Sequence, residues 1–151
     1  MVPTISVQLA DFDPGAVVET LSADRTGVGA VVSFVGLCRD EGGELAALEL
    51  EHYPGMAEEE IGRIAGEACS RWPLLGLTVI HRHGLVRPGD RIVIVAAAAS
   101  HREAAFSGAA FMMDFLKTSA PFWKREHRAD GRVGEWVAAK ASDDLAAAVW
   151  R

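Results

Sequence analysis

Two lysines bracket an aromatic corner in the stretch Phe111–Glu126, FMMDFLKTSAPFWKRE. Lys117 falls near the end of a helical pattern, because Met112, Phe115 and Leu116 follow the i, i+3, i+4 spacing of a buried face. Pro121 stops that helix, since proline has no N–H and pushes the residue before it out of the α region. Phe122-Trp123-Lys124-Arg125-Glu126 then alternates like a short strand, which puts Lys124 just past the corner. A lysine beside apolar bulk can have its ammonium pKa lowered and then serve as nucleophile or base. The competing reading of this stretch alone is a core corner with two solvated lysines.

Other cations add to the pattern. Arg39 directly follows a long apolar run and opens a polar, glycine-containing loop, Arg39–Glu44. His101 and Arg102 occupy the first turn of the long helix that ends near Lys117. A cation at a helix N-terminus opposes the helix dipole, and an anion bound there would relieve the conflict. Arg102, Phe106, Ala110, Met113 and Lys117 form a second stripe along this helix. Arg102 and Lys117 are fifteen residues apart in sequence, about 22 Å at 1.5 Å per residue. They cannot reach one small ligand from the same helix. Either they serve different sites, or a two-fold mate brings its Arg102 to this chain's Lys117.

A thiol mechanism is the rival. Cys38 beside Arg39 can be read as an activated nucleophile, but it ends an apolar strand, where a free cysteine packs as a small hydrophobe, and packing is the preferred reading. Cys38 and Cys69 form no CxxC and no metal-ligand spacing. His81-x-His83 is a period-two pair without a third partner, which reads as an exposed strand face rather than a metal site. No Gly-rich phosphate loop, GxSxG or kinase signature is present. The residues thus describe a local basic, aromatic-edged pocket suited to a small phosphorylated substrate, without fixing the reaction.

The elements that position these groups belong to one domain spanning residues 1–151. The net charge of −6 argues against nucleic-acid or anionic-membrane binding, so an anion site must be a local basic cluster. Met1–Ser6 has neither a basic n-region nor an apolar h-region, and the longest apolar run, Ile92–Ala99, is far short of the roughly 20 residues that span a bilayer. A soluble, cytoplasmic, reduced protein is expected. Strands are predicted at Thr4–Leu9, Val28–Cys38, Leu45–Tyr53, Leu77–Val86, Arg91–Ala98, Phe122–Arg128 and Glu135–Ala139, with the second and third as an antiparallel hairpin. Helices are predicted from Asp13-Pro14 to near Ala23, over Met56–Trp72, from a Ser100/Glu103 capping box to about Ser119, and over Asp143–Trp150. Hairpin connections and the lack of a βαβ series make this α+β with mostly antiparallel strands and packed helices.

Several segments together resemble the catalytic (large) subunit of molybdopterin synthase, the MoaE family. They are Gly29–Gly36 (GAVVSFVG) with Arg39, Leu50–Met56 (LEHYPGM), Arg71-Trp72-Pro73, Val79–Arg82, Pro88-Gly89-Asp90, Ser100-His101-Arg102, and the corner from Met113 to Glu126. The resemblance covers nearly the whole chain, in order. It implies an α/β-hammerhead fold and a sulfurtransferase of molybdenum cofactor biosynthesis. Sulfur would come from the C-terminal Gly-Gly thiocarboxylate of a small ubiquitin-like sulfur-carrier subunit, and the acceptor would be cyclic pyranopterin monophosphate, which gains a dithiolene. It implies a homodimer within a heterotetramer and no metal or other cofactor. Lys117 and Lys124 match the family's essential lysines. Arg39, His101 and Arg102 match its pocket residues, with Phe34 and Met113 lining the pocket. Lys140 stands where the family commonly has arginine, so a point charge replaces a bidentate fork at that substrate-binding position.

Overall fold

Strand β6 (Arg91–Ala99) has seven consecutive buried residues, Val93 to Ala99, and the main core forms around it. A strand that reads as one apolar run is one covered on both faces. It is central in a four-stranded sheet ordered β1–β4–β6–β2, where β1 is Thr4–Gln8, β4 is Leu74–Arg82 and β2 is Ala30–Leu37. The computed structural model describes residues 1–40, 42–118, 121–138 and 149–150. β6 pairs antiparallel with β2 and β4, and β1 joins β4 in parallel.

Alternate residues of β6 feed two cores. Val93, Val95, Ala97 and Ala99 face helices α2 (Met56–Arg71) and α3 (Arg102–Thr118), meeting Ile61, Ile64, Phe111, Met112 and Leu116. Ala96 and Ala98 face the other way, toward Leu21 of α1 (Pro14–Ser22). Helix α1 starts as its sequence predicts, with Pro14 at the first position and the Asp13 carboxylate accepting from the N–H groups of Gly15 and Ala16 at 2.9 and 3.3 Å. In α2 the Glu58 carboxylate reaches back to accept from the Gly55 N–H at 2.8 Å, which gives that acid a capping role beyond favourable placement in the dipole.

A second, three-stranded antiparallel sheet is ordered β5–β3–β7, with β5 at Gly84–Val86, β3 at Leu45–His52 and β7 at Phe122–Arg128. It closes over a small core of Cys38, Leu50 and Val86. The α+β class with mostly antiparallel strands is therefore observed, and the β1–β4 pair is the parallel exception among the described residues.

Four expectations change. The β2–β3 hairpin does not form, because the apolar edge of β2 pairs along β6 from Ala30↔Ala99 to Leu37↔Arg91, while β3 pairs with β5 and β7. The strand expected over Leu77–Val86 is two strands in two sheets. Gly84 adopts φ +87, a left-handed conformation that breaks the extended run. The return after β7 is not a strand but two bridges, Lys124↔Val137 and His127↔Val133. Helix α3 begins at Arg102, later than a cap at Ser100 predicts. Ala139 and Lys140 lie outside the described residues. So do Asp143–Ala148 of the last predicted helix, whose Val149 and Trp150 form a turn.

Gly29, just before β2, donates to the Ala99 carbonyl at 2.9 Å, and a Cβ there would lie 2.1 Å from the Ser100 carbonyl oxygen. Neither partner is a side chain that can swing aside. Gly29→Ala is therefore expected to destabilise the fold by about 1–3 kcal/mol, as overpacking does, and a urea midpoint unchanged from wild type would contradict this. On the outer face of the second sheet, Glu49 Oε1 accepts from Arg125 Nε at 2.7 Å and from His127 Nε2 at 2.9 Å. The His127 and Arg125 hydrogen bonds hold the Glu49 carboxyl below its ordinary 4.5. A depressed carboxyl gives stability that is complete above the unfolded value and is lost as pH falls through the folded one. Glu49→Gln should thus flatten the decline in thermal midpoint below about pH 4.5; an identical slope in both proteins would refute the linkage.

Candidate active site

Where the end of the first sheet meets the second, a cleft of about 1080 Å³ opens, with Arg39, Lys117 and Lys124 in its wall. Each cation arrives on a different element. Arg39 follows β2 and is set in place through its neighbour: the Cys38 N–H donates to the Asp90 carbonyl at 2.8 Å, and the Gly89 N–H donates to the Cys38 carbonyl at 2.7 Å. The β5–β6 turn thereby anchors the start of the Arg39 loop. The Asp40 side chain accepts from the Leu45 N–H at 3.2 Å and spans the loop.

Lys117 lies in the last turn of α3, where the helix dipole favours a cation. Thr118 Oγ1 donates to the Asp114 carbonyl at 3.0 Å and satisfies one of the terminal acceptors. Pro121, also in the cleft wall, follows within a few residues. The main chain of Lys124 is held from both sides. It pairs with Leu50 of β3, and it exchanges hydrogen bonds of 3.0 and 2.7 Å with Val137. Residues 122, 124 and 126 of β7 share a face with their partners His52, Leu50 and Leu48. Lys124 therefore stands beside the apolar floor made by Leu48 and Leu50. Glu126, next along that face, approaches Arg128 at 3.4 Å.

His81 completes the wall, and sequence reasoning missed it. It extends the inward-facing row Leu77–Val79 of β4 to the edge of the cleft, half-buried rather than on an exposed face. Its ring stacks on Phe122 with centroids 3.9 Å apart and planes 16° apart. Desolvation pushes its pKa down to about 4; the Lys117 charge and the neighbouring His52 and His83 add to this, against a backbone hydrogen bond to Arg82. His83 is not part of the same strand: it lies between β4 and β5, and its N–H donates to Gln8. No group of three or more metal-ligating side chains exists among the described residues. The usable signal for His81 was the period-two row it continues, which runs from core to cleft without a break.

Cys38 also borders the cleft, but only 3% of it is exposed. Burial pushes its thiol pKa up, and the charges of Asp90 and Asp40 push the same way. This is the reverse of what a thiolate nucleophile needs, so the Arg39-activated reading is overturned.

The remaining candidates sit elsewhere. His101 and Arg102 are exposed at the opposite end of α3, about 22 Å from Lys117 by helix geometry. Phe34 is on the edge strand β2 and 44% exposed. Met113 is half-buried against the main core. None of the four lines the cleft within one chain, and Lys140 lies outside the described residues.

Comparison with known proteins agrees with this architecture. A family model described as "MoaE protein" matches residues 7–119, from β1 through the end of α3. A Mesorhizobium japonicum protein named "Molybdopterin synthase catalytic subunit" is 63% identical, with 100% of this chain and 95% of that protein aligned. The solved structure of a molybdopterin biosynthesis MoaE protein from Burkholderia ambifaria superposes with a TM-score of 0.85 at 48% identity, covering 99% of this chain and 98% of that one. A molybdopterin synthase structure from Staphylococcus aureus gives a TM-score of 0.78 at 27% identity over 88% of this chain and 96% of that one. Because the family model spans the elements that carry Arg39 and Lys117, and the full-length relatives extend over β7 with Lys124, the chain belongs to the MoaE family.

Proposed function

We propose that this chain is the catalytic subunit of a molybdopterin synthase. It would move sulfur from the C-terminal thiocarboxylate of a small ubiquitin-like carrier onto cyclic pyranopterin monophosphate, building the dithiolene. The observation that carries this reading is the convergence of Arg39, Lys117 and Lys124 from three separate elements on one cleft, in a chain whose net charge is −6. Both reactants bring anions, a phosphate and a thiocarboxylate, and charge-assisted hydrogen bonds to such groups are the strong ones. A Gly-Gly tail has no side chains, so it can follow a narrow cleft to a point between the two lysines. Lys117 is our choice for the group nearest the transferring sulfur, as proton shuttle or as transient amine partner of the acyl carbon. Arg39 and Lys124 would hold the phosphate. Among the described residues no helix is long and apolar enough to cross a membrane. We infer a cytoplasmic setting, in which the free thiols Cys38 and Cys69 stay reduced.

His101, Arg102 and Phe34 enter this scheme through a second copy of the chain. The β2 edge and the outer stripe of α3 leave Phe34 and Phe106 exposed at 44% and 62%, and a two-fold contact there would carry one protomer's His101 and Arg102 toward its partner's cleft. Full activity from a protein that sediments strictly as a monomer would sink that arrangement.

The decisive experiment is reconstitution with thiocarboxylated carrier and cyclic pyranopterin monophosphate, reading molybdopterin as its fluorescent oxidation product. Lys117→Ala should lower product formation roughly 10²–10⁴-fold, the range for a positioned acid–base group, while still binding the carrier. Loss of carrier binding would make Lys117 a docking residue instead. No product from wild-type protein that is folded and carrier-bound would end the catalytic assignment.

A further inference from the structure

Trp150 stands outside the cleft wall and joins two helices. Its indole N–H donates to the carboxylate of Asp114 on α3. Its carbonyl accepts from Nη1 of Arg71, the last residue of α2, at 2.6 Å. Its ring stands edge-on to Trp72, just past α2, with centroids 5.6 Å apart, and to Phe111 of α3 at 5.8 Å. Trp72 and Phe111 are edge-on to each other at 5.3 Å, so the three rings close a triangle. Arg71 is held in the same joint, with its guanidinium carbon 4.8 Å from the Phe111 centroid and Nη2 donating to Glu67 at 2.9 Å.

Asp114 is ill-placed on local grounds, because a carboxylate near a helix C-terminus faces the negative end of the dipole. A residue that breaks a local rule has its reason elsewhere. Here the reason is the indole, whose part-buried N–H needs an acceptor. Asp114 precedes Lys117 by one helical turn. Leu116 is buried in the main core, and Asp114 lies about 200° around the helix from it, at roughly 100° per residue. The end of α3 is therefore gripped on two sides, by the core at Leu116 and by Trp150 at Asp114. A last turn without such contacts has unpaired carbonyls and frays.

We propose that Trp150 is a positioning residue: by donating to Asp114 and packing against Trp72 and Phe111, it fixes the last turn of α3 and with it the point from which Lys117 enters the cleft. Trp150 touches no reacting group and acts through the helix. Its effect on catalysis rests on the sulfur-transfer reading, whereas its grip on α3 does not.

Amide hydrogen exchange of the full chain reads the grip without any reaction. Trp150→Phe keeps a ring against Trp72 and Phe111 but loses the donor. Amides of residues 115–118 should then exchange roughly ten-fold faster, as losing one hydrogen bond to a charged acceptor implies, while those of residues 104–109 keep their rates. Unchanged rates at 115–118, or equal acceleration in both halves of α3, overturns the proposal. Asp114→Leu removes the same bond from the acceptor side and gives the same reading should Trp150→Phe not fold. Kinetics supply the second arm. Either variant should lower kcat roughly ten-fold, within the roughly 10²-fold that a 1 Å misplacement can cost, with KM for the carrier unchanged. The double variant should lose no more than either single one, because the two residues act as a unit. Asp114→Asn keeps an acceptor oxygen and should retain most of kcat. Unchanged kcat in the folded single variants, or losses that multiply in the double one, overturns the positioning role. If wild-type protein makes no product, the reaction assignment fails alone, and the exchange rates still decide the grip.

Discussion

The seating of α3 on β6 is the constraint on which the cleft depends. The first half of α3 buries Ala104, Ala105, Gly108 and Ala109, and the opposing positions of β6 are Ala97 and Ala99. Small residues on both sides let the helix lie close to the sheet. A Cβ on Gly108 would approach Leu74 to 3.0 Å, so little slack remains there. The second half is held by bulk instead. Phe111 is fully buried, edge-on to Trp72 at 5.3 Å and tilted against Phe115 at 4.8 Å. The Trp150 indole N–H donates to the Asp114 carboxylate, and its carbonyl accepts from Arg71 at 2.6 Å. Close packing of this kind transmits position, so the point where Lys117 emerges is set by contacts along the whole helix.

The second sheet solves a different problem. A cation beside apolar bulk needs a backbone that cannot drift, and Lys124 lies between two partners, opposite Leu50 of β3 in the ladder and with its own N–H and C=O both bonded to Val137. Outside the cleft, charges are matched locally. Glu60 holds Arg63 and Glu67 holds Arg71, while at the cleft wall itself Glu49 holds Arg125, which also lies 4.4 Å over the Trp136 ring. Exposed pairs of this sort contribute little stability each. Several arginines of this acidic chain are paired in place, while Arg39, Lys117 and Lys124 share the cleft wall with Arg125 and Arg128 and with the carboxylates of Glu44, Glu126 and Glu135.

What the sequence made legible was local. Pro121 and the spacing of Met112, Phe115 and Leu116 were enough to locate the end of α3, and alternation was enough for β7, because both signals come from contiguous residues. Strand partnership was not legible. Adjacency in sequence favoured a β2–β3 hairpin, but β2 is a long apolar strand, and its ladder goes to β6, which is buried on both faces and lies more than fifty residues away in sequence. The break at Gly84 needed a φ value that composition alone does not give. His81 was misread for a related reason. Its ring is covered by Phe122, which is remote in sequence, and a period-two histidine pair says nothing about that.

One helix also explains why the candidate residues divide into two groups. Its C-terminal end exposes carbonyls and suits Lys117; its N-terminal end exposes N–H groups and bears His101 and Arg102. The N-terminal end is thus the one suited to an anion, while the C-terminal end tolerates a concentration of cations. A single chain cannot bring these ends together across about 22 Å of helix. A site needing both therefore requires two helices running in opposite senses, which a two-fold axis supplies at no cost in added sequence. In that arrangement each cleft would receive its lysines from one α3 and its anion-suited helix end from the other, so the rigidity of α3 that separates the groups within a protomer is the same property that would align them across the pair.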